Sequence, residues 1–243
     1  MNNLEQLNKY IKEAKYLVFF GGAGTSTASG LKDFRSASGL YHEKALYPPE
    51  QILSHSFFEK NTNYFYQFYR KNLNSLTAKP NICHKYLAKL EKQGILKSII
   101  TQNIDGLHQK AGSTNVLELH GSIINNYCTR CHKKINANEV FSTNDIPHCK
   151  CGGIIKPDVV LYEEPLNENI ITNAIKEIEK ADVLIVAGTS LVVYPASSFI
   201  HYFKGKHLII INNEITPLDN KADLIIHDDI SNVFQYLDKN RNS

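Results

Sequence analysis

No stretch of this 243-residue chain approaches the about eighteen consecutive apolar residues that a membrane-spanning helix needs. The opening MNNLEQLNKY lacks the basic-then-apolar pattern of an export signal. These absences argue against a membrane protein and predict a cytoplasmic one. A basic block is missing too. The formal net charge of +3 comes from lysines spread along the chain, so a solvated surface is expected and direct nucleic-acid binding is not. Internal repeats and low-complexity tracts are absent. What remains is ordinary for a soluble globular protein, with 42% hydrophobic and 21% charged residues. The length suffices for one large domain with a small insertion. Cysteine is scarce and odd in number, five in all, and four fall in two tight pairs. In a cytosolic chain that spacing favours a metal over disulfides.

The apolar residues recur in two rhythms. Leu4, Leu7 and Ile11 have helical spacing and predict an amphipathic helix over 3–14. The run 16–20, Tyr-Leu-Val-Phe-Phe, stops at Gly21-Gly-Ala-Gly24 and reads as a strand buried on both faces. Similar runs at 99–101, 183–187, 208–211 and 224–226 predict further strands, with helices over 82–93 and 169–180. This alternation predicts an α/β fold, a doubly wound parallel sheet. Two segments break it. Residues 39–77 are rich in Tyr and Phe, with a helix expected around 64–76, and 123–154 hold the paired cysteines. Both are expected as insertions that form a smaller lobe, leaving 1–38, 78–122 and 155–243 to the sheet domain.

The turn Gly22-Ala-Gly-Thr-Ser-Thr-Ala-Ser-Gly30 follows the first strand and is expected to open a helix. Glycines let backbone approach a pyrophosphate, and a helix N-terminus offers free N–H groups. Thr25, Ser26 and Ser29 can add hydroxyl contacts, although the spacing is not the usual G-x-G-x-x-G. A tight turn that merely needs small residues is the plain alternative. Beyond it, Asp33-Phe-Arg-Ser36 sets Phe34 to cover a planar base and Arg35 to fork onto phosphate.

Three other strand ends are polar: Thr101-Gln-Asn-Ile-Asp-Gly106, Gly188-Thr-Ser190 and Asn212-Asn-Glu214. Ligands of open parallel sheets bind beyond such carboxyl ends, so their convergence predicts a dinucleotide crevice. His120, closing Leu117-Glu-Leu-His120, can reach the same crevice and accept a proton near neutral pH. His84 and His108 are expected to be structural. Cys128-Thr-Arg-Cys131 and Cys149-Lys-Cys151, seventeen residues apart, match a closed tetrahedral zinc site. Cys83 reads as a buried apolar residue.

Together these motifs resemble the sirtuin family, in order and through nearly the whole chain. The resemblance is carried by 22–30, 33–36, Thr101 to His108, Leu119-His-Gly121, Gly188-Thr-Ser-Leu191, Asn212-Asn-Glu214 and the two cysteine pairs. It implies a Rossmann-like domain with a small helical plus zinc-ribbon lobe, the ribbon holding one structural zinc on Cys128, Cys131, Cys149 and Cys151. It implies an NAD-dependent protein-lysine deacylase, with NAD and an acyl-lysine protein meeting in the cleft between lobes.

Carried over, Gly22, Ala23, Gly24, Thr27, Asp33, Phe34 and Arg35 line the cofactor near its phosphates and nicotinamide ribose. Gln102, Asn103, Ile104 and Asp105 form the inner pocket. Gly188, Thr189, Ser190, Asn212, Asn213, Glu214 and Asp229 or Ile230 hold the adenosine half. Val159, Val160, Leu161 and Tyr162 on one side, with Leu191, Val192 and Val193 on the other, pin the substrate backbone. His120 is implied as the catalytic base, with Asn103 and Asp105 beside it. The acyl oxygen attacks the ribose carbon as nicotinamide leaves, and His120 draws a ribose hydroxyl proton. The hydroxyl oxygen then attacks the imidate carbon, and water releases free lysine and O-acyl-ADP-ribose.

Three positions depart from the family pattern. Lys32 stands where proline is usual, Glu163 replaces a glycine in the aromatic-Gly-Glu, and Asn72 replaces the arginine of a Tyr-x-x-Arg pair. The last favours acetyl or other neutral acyl chains. The rivals are a sirtuin-like ADP-ribosyltransferase and a zinc-ribbon binding module. Arg130, His132, Lys133 and Lys134 give the ribbon charge but no interleaved aromatics, which disfavours the latter.

Overall fold

The computed structural model describes residues 2–34, 39–42 and 45–240. In chain order its strands are β1 (Leu17–Gly21), β2 (Leu96–Thr101), β3 (Val116–Glu118), β4 (Gly121–Cys128), β5 (Lys134–Asn136), β6 (Ile155–Val159), β7 (Val183–Ala187), β8 (His207–Ile211) and β9 (Leu224–Ile226). The α-helices are α1 (Asn3–Glu13), α2 (Pro49–Ile52), α3 (His55–Lys60), α4 (Thr62–Leu73), α5 (Ile82–Lys92), α6 (Leu107–Lys110), α7 (Ala137–Phe141), α8 (Glu168–Lys180) and α9 (Ile230–Lys239).

Six strands form one parallel sheet in the order β3-β2-β1-β7-β8-β9. The order reverses between β1 and β7, which is where doubly wound sheets open a ligand crevice. Alternate side chains of each strand enter opposite cores. Phe19, Ile99, Ile185 and Ile209 meet α1, α5 and α9 on one face. Val18, Phe20, Leu184, Val186 and Ile210 meet α8 and the 3₁₀ segment Ala196–Tyr202 on the other. Both faces are therefore covered, and near-continuous apolar strands are what such a sheet requires. Among the described residues no helix is long and apolar enough to cross a membrane.

A second, antiparallel sheet, β5-β4-β6, packs with α2, α3, α4 and α7 around Phe57, Phe58, Phe65, Tyr66, Tyr69 and Val140. Its third strand, β6, follows the cysteines in sequence and pairs back onto β4. Gly121 joins the two sheets. It sits at φ 73, and a Cβ there would lie 2.0 Å from Asp158 O.

One expectation about backbone is corrected. The glycine turn opens no α-helix but two 3₁₀ turns, Ala23–Thr25 and Thr27–Ser29. Thr25 Oγ1 and Thr27 Oγ1 donate to the Gly22 and Gly24 carbonyls, and Gly30 at φ 82 ends the second turn. Hydroxyls that bond back onto nearby carbonyls compete with helix propagation.

Candidate active site

Strand register brings the polar ends together. Gly21 pairs level with Thr101 on one side and Ala187 on the other, Ala187 with Ile211, and Ile211 with Ile226. The residues that follow, Gly22, Gln102, Gly188 and Asn212, therefore leave the sheet in one row. Gln102, Gly188 and Asn212 border a cleft of about 760 Å³, a size usual for small-molecule sites.

The glycines serve the protein before any ligand. Gly22 N–H donates to Ala187 O at 3.0 Å and Gly24 N–H to Gly188 O at 2.9 Å. A Cβ on Gly24 would lie 2.8 Å from Gly188 Cα, and one on Gly188 would lie 2.6 Å from Thr25 N. Gly188 is also left-handed, at φ 61. Gly188→Ala is expected to cost about 2 kcal/mol or more, a drop in Tm of roughly 4–8 °C for a chain of this size. Thermal melting checks it, and an unchanged Tm would contradict the interlock.

Asn103 and Asp105 turn inward from the end of β2. Asn103 is buried, and its Nδ2 lies 3.1 Å from Gly22 O, 3.0 Å from Thr25 Oγ1 and 3.1 Å from Ser26 Oγ. Asp105 Oδ2 accepts from Ser26 Oγ at 2.7 Å, and Oδ1 accepts from Leu107 N–H at 2.8 Å. Burial raises the Asp105 pKa, against those two hydrogen bonds. Ser26 thus ties Asn103 to Asp105 while also bordering the cleft. Ser29 Oγ is buried without a partner among the described residues.

Below this network His84 and His108 lie with ring centroids 4.7 Å apart. Burial lowers them to about 4 and about 3, His84 adding to the effect on His108. Both are neutral at pH 7. Cys83 is likewise buried, and desolvation pushes its thiol up.

His120 stands at the junction of the two sheets. Its Nδ1 lies 2.8 Å from Gln102 O. A carbonyl only accepts, so Nδ1 carries the hydrogen and the neutral ring presents Nε2 as its base. Burial lowers the His120 pKa from the ordinary 6.5, with the Gln102 carbonyl opposing. The Val160 N–H donates to His120 O at 2.9 Å, tying the segment after β6 to the same residue.

The cleft is bordered by Ala23, Gly24, Thr27, Asp33 and Phe34, by Gln102 to Asp105 and His120, and by Gly188 to Ser190. Asn212, Asn213, Glu214, Asp229 and Ile230 close one end, with Val159 to Tyr162 and Val193 toward the other. Gly22 lies behind the lining, against Gly188 and Thr189. Leu191 is buried in the sheet core, and Val192 is half-exposed outside the lining. Arg35 and Ser36 lie outside the described residues. Asp229 also caps α9, accepting from Ser231 N–H at 2.7 Å. The lining further includes Tyr69 and Asn72 of the altered Tyr-x-x-Arg pair, and Leu73 and Tyr194, which sequence motifs did not single out.

The donors present fit a dinucleotide. Gln102 Oε1 accepts from Thr189 Oγ1 at 2.9 Å, but its buried Nε2 has no protein partner among the described residues. An amide N–H buried at a cleft wall requires an acceptor, and a ribose hydroxyl supplies one. The four paired cysteines also converge. Their sulfurs all lie within 4.8 Å of one another, with Cys128–Cys151 at 3.4 Å and Cys131–Cys149 at 3.7 Å. Tetrahedral zinc with bonds of about 2.3 Å separates its ligands by about 3.8 Å, so the donor set fits one ion. The N–H groups of Cys131 and Arg130 point at Cys128 Sγ and lower its pKa to about 6.

Comparison with known proteins meets this geometry. The model of the Sir2 family matches residues 22–195. An NAD-dependent protein deacetylase of Clostridium perfringens is 54% identical, covering 96% of this chain and 97% of its own. One of Clostridium acetobutylicum is 55% identical, covering 97% and 98%. A Sir2 structure with a deacetylated p53 peptide and acetyl ADP-ribose is 34% identical at a TM-score of 0.90, over 100% of both chains. Another, with p53 peptide and NAD+, is 36% identical at 0.86, over 98% of both.

Proposed function

The chain belongs to the Sir2 family, and from that premise we propose an NAD-dependent protein deacetylase releasing nicotinamide, O-acyl-ADP-ribose and free lysine. The observation that carries this is the tautomer of His120. Its Nδ1–H is committed to the Gln102 carbonyl, so Nε2 is a base on a residue bordering the cleft. Bound NAD supplies an electrophilic ribose carbon and its leaving group, nicotinamide. His120 Nε2 takes the ribose hydroxyl proton. Asn103 and Asp105, each held by Ser26, shape the nicotinamide end, and Gln102 Nε2 donates to the ribose. Ala23, Gly24, Thr27, Asp33, Phe34 and Ile104 border the rest of that half. Gly188 to Ser190, Asn212 to Glu214, Asp229 and Ile230 take the adenosine half. Val159 to Tyr162 and Val193 receive the acyl-lysine backbone.

The four cysteines hold zinc as a structural ion only, because every coordination position is filled by protein. A cytoplasmic location completes the proposal, supported by cysteines that stay free of disulfides.

The acyl chain is neutral. Asn72 Nδ2 donates to Phe68 O at 3.0 Å, turning its amide back onto α4. Tyr69 Oη is buried and has no hydrogen-bond partner among the described residues. Neither residue can offset a buried carboxylate, so succinyl-lysine is expected to be cleaved at least about tenfold less efficiently than acetyl-lysine. The test is to incubate the chain with NAD and an acyl-lysine peptide series, measuring nicotinamide and free-lysine peptide. Absence of both products would sink the assignment. Nicotinamide without deacylated peptide would move it to ADP-ribosyl transfer, and equal cleavage of succinyl would overturn the role of Asn72.

A further inference from the structure

The glutamate that replaces a glycine beside the substrate segment has taken on a bond of its own. Glu163 is one of three non-glycine described residues with positive φ, at 76°. L side chains enter that region only at a cost. The side chain is nevertheless engaged. Its Oε2 accepts from Ser56 N–H at 2.9 Å, and its Oε1 accepts from Ser56 Oγ–H, also at 2.9 Å.

Ser56 belongs to α3, in the smaller core. On the same side, Tyr162 N–H donates to Leu53 O and His55 N–H to Tyr162 O, each at 3.0 Å. Glu164 adds a partly buried tie. Its Oε2 accepts from Leu161 N–H at 2.9 Å and from Lys156 Nζ at 3.1 Å, and its Oε1 meets His55 Nδ1 at 2.7 Å. The start of this segment is tied to His120 by the Val160 N–H. Its far end is tied to α3.

Resting on the deacetylase assignment, we propose that Glu163 is a positioning residue for the acyl-lysine peptide: its carboxylate, bound twice by Ser56, locks the end of the segment Val159 to Tyr162 onto α3 in the register that receives the peptide. A glycine at 163 adopts the same φ without strain, but it leaves that end held by main chain, by Glu164 and by the hydrogen bond between the Tyr162 and Tyr41 hydroxyls. The glutamate accepts an unfavourable backbone and gains a side-chain anchor. The two Ser56 donors, N–H first, hold the Glu163 carboxyl below its ordinary pKa, so the anchor is charged at neutral pH. It contributes nothing to the NAD half of the cleft. Its loss acts on peptide affinity alone.

Glu163→Gly, Glu163→Gln, Ser56→Ala and the double variant Ser56→Ala/Glu163→Gly test this. With an acetyl-lysine peptide, Glu163→Gly is expected to raise the peptide KM about two- to tenfold, the range for losing a hydrogen bond. The values of kcat and of KM for NAD should stay near wild type, the pattern of lost ground-state binding. Glu163→Gln keeps one acceptor oxygen and should recover part of the loss, and the double variant should be no worse than Glu163→Gly. Amide hydrogen exchange of the free protein gives a readout independent of turnover. The Tyr162 and Glu164 amides should exchange faster in Glu163→Gly, while those of β1 and β7 do not. An unchanged Tyr162 exchange rate overturns the anchor even if the chain is no deacetylase. Faster exchange with an unchanged peptide KM, or equal loss in kcat and in KM for NAD, overturns the positioning role.

Discussion

Replacing His120 with alanine is expected to lower kcat for peptide deacetylation about a hundred- to ten-thousandfold, the range for losing a positioned general base. Folding should be almost untouched. The substitution removes one hydrogen bond, Nδ1–H to Gln102 O, worth about 1 kcal/mol. NAD binding should survive as well, because the glycine interlock and the Ser26–Asn103–Asp105 ties do not pass through the imidazole. The pH profile carries the same claim. Burial lowers the His120 pKa below 6.5, against the bond to Gln102. The base is therefore neutral and competent above that lowered value, and kcat/KM falls only as pH drops through it. Stability follows the same sign, since the unfolded chain binds this proton more readily and gains on the folded state as pH falls. Steady-state rates of wild type and His120→Ala between pH 5 and 8 check it. Full activity in the variant, or an acid limb above 6.5, would remove His120 from the proton transfer.

Much of this site was legible because it lies at strand ends. Short apolar runs announced β1, β7, β8 and β9 within a residue or two, and polar residues just after them mark a crevice in any parallel sheet. Their convergence depends only on level register, which parallel pairing supplies. The glycine turn misled in a specific way. Its glycines were read as room for a phosphate, yet Gly24 and Gly188 are forced first by each other. Thr25, which suggested a ligand contact, is buried and holds a 3₁₀ turn, whereas Thr27 both holds a turn and borders the cleft.

Other elements needed partners that spacing cannot reveal. Strand β3 has three residues and no inward alternation, and β6 pairs with β4 across the whole ribbon. Lys156 carries a charge that no local pattern marks as buried. Glu164, eight residues on, and the carbonyls of Pro157 and Val159 make its burial tolerable. Helix α9 was different, because Ile230, Val233, Phe234 and Leu237 show helical spacing and Asp229 is an N-cap.

Removal of zinc is expected to have the second large effect, and to have it without touching the chemistry. Cys128 ends β4, and Cys149 and Cys151 precede β6, so the ion closes the sheet that carries both Gly121 and the peptide segment. The ribbon adds few buried apolar residues to the smaller core: Ile123, Cys128, Val140 and Cys149, with Ile135, Phe141, Ile146, Cys151 and Ile154 only partly buried against it. A structural zinc contributes on the order of 10 kcal/mol through its thiolates, as much as the net stability of a whole domain. Cys128→Ser should therefore lose the ion, melt the ribbon and release β4 and β6. Deacetylation should fall to background although no cysteine borders the cleft. The parallel sheet has its own two cores and should persist, so far-UV circular dichroism should keep most of its helical signal while the Tm of the smaller lobe disappears. Exchange of zinc for cobalt separates structure from catalysis. With four thiolates filling every position, the cobalt protein should turn over at the zinc rate. Metal content by atomic absorption, near one ion per chain and absent from Cys128→Ser, anchors the comparison. A metal-free variant that melts and turns over like wild type would show that the four thiols hold nothing the fold needs, and a cobalt protein with altered kcat would put the metal into the reaction.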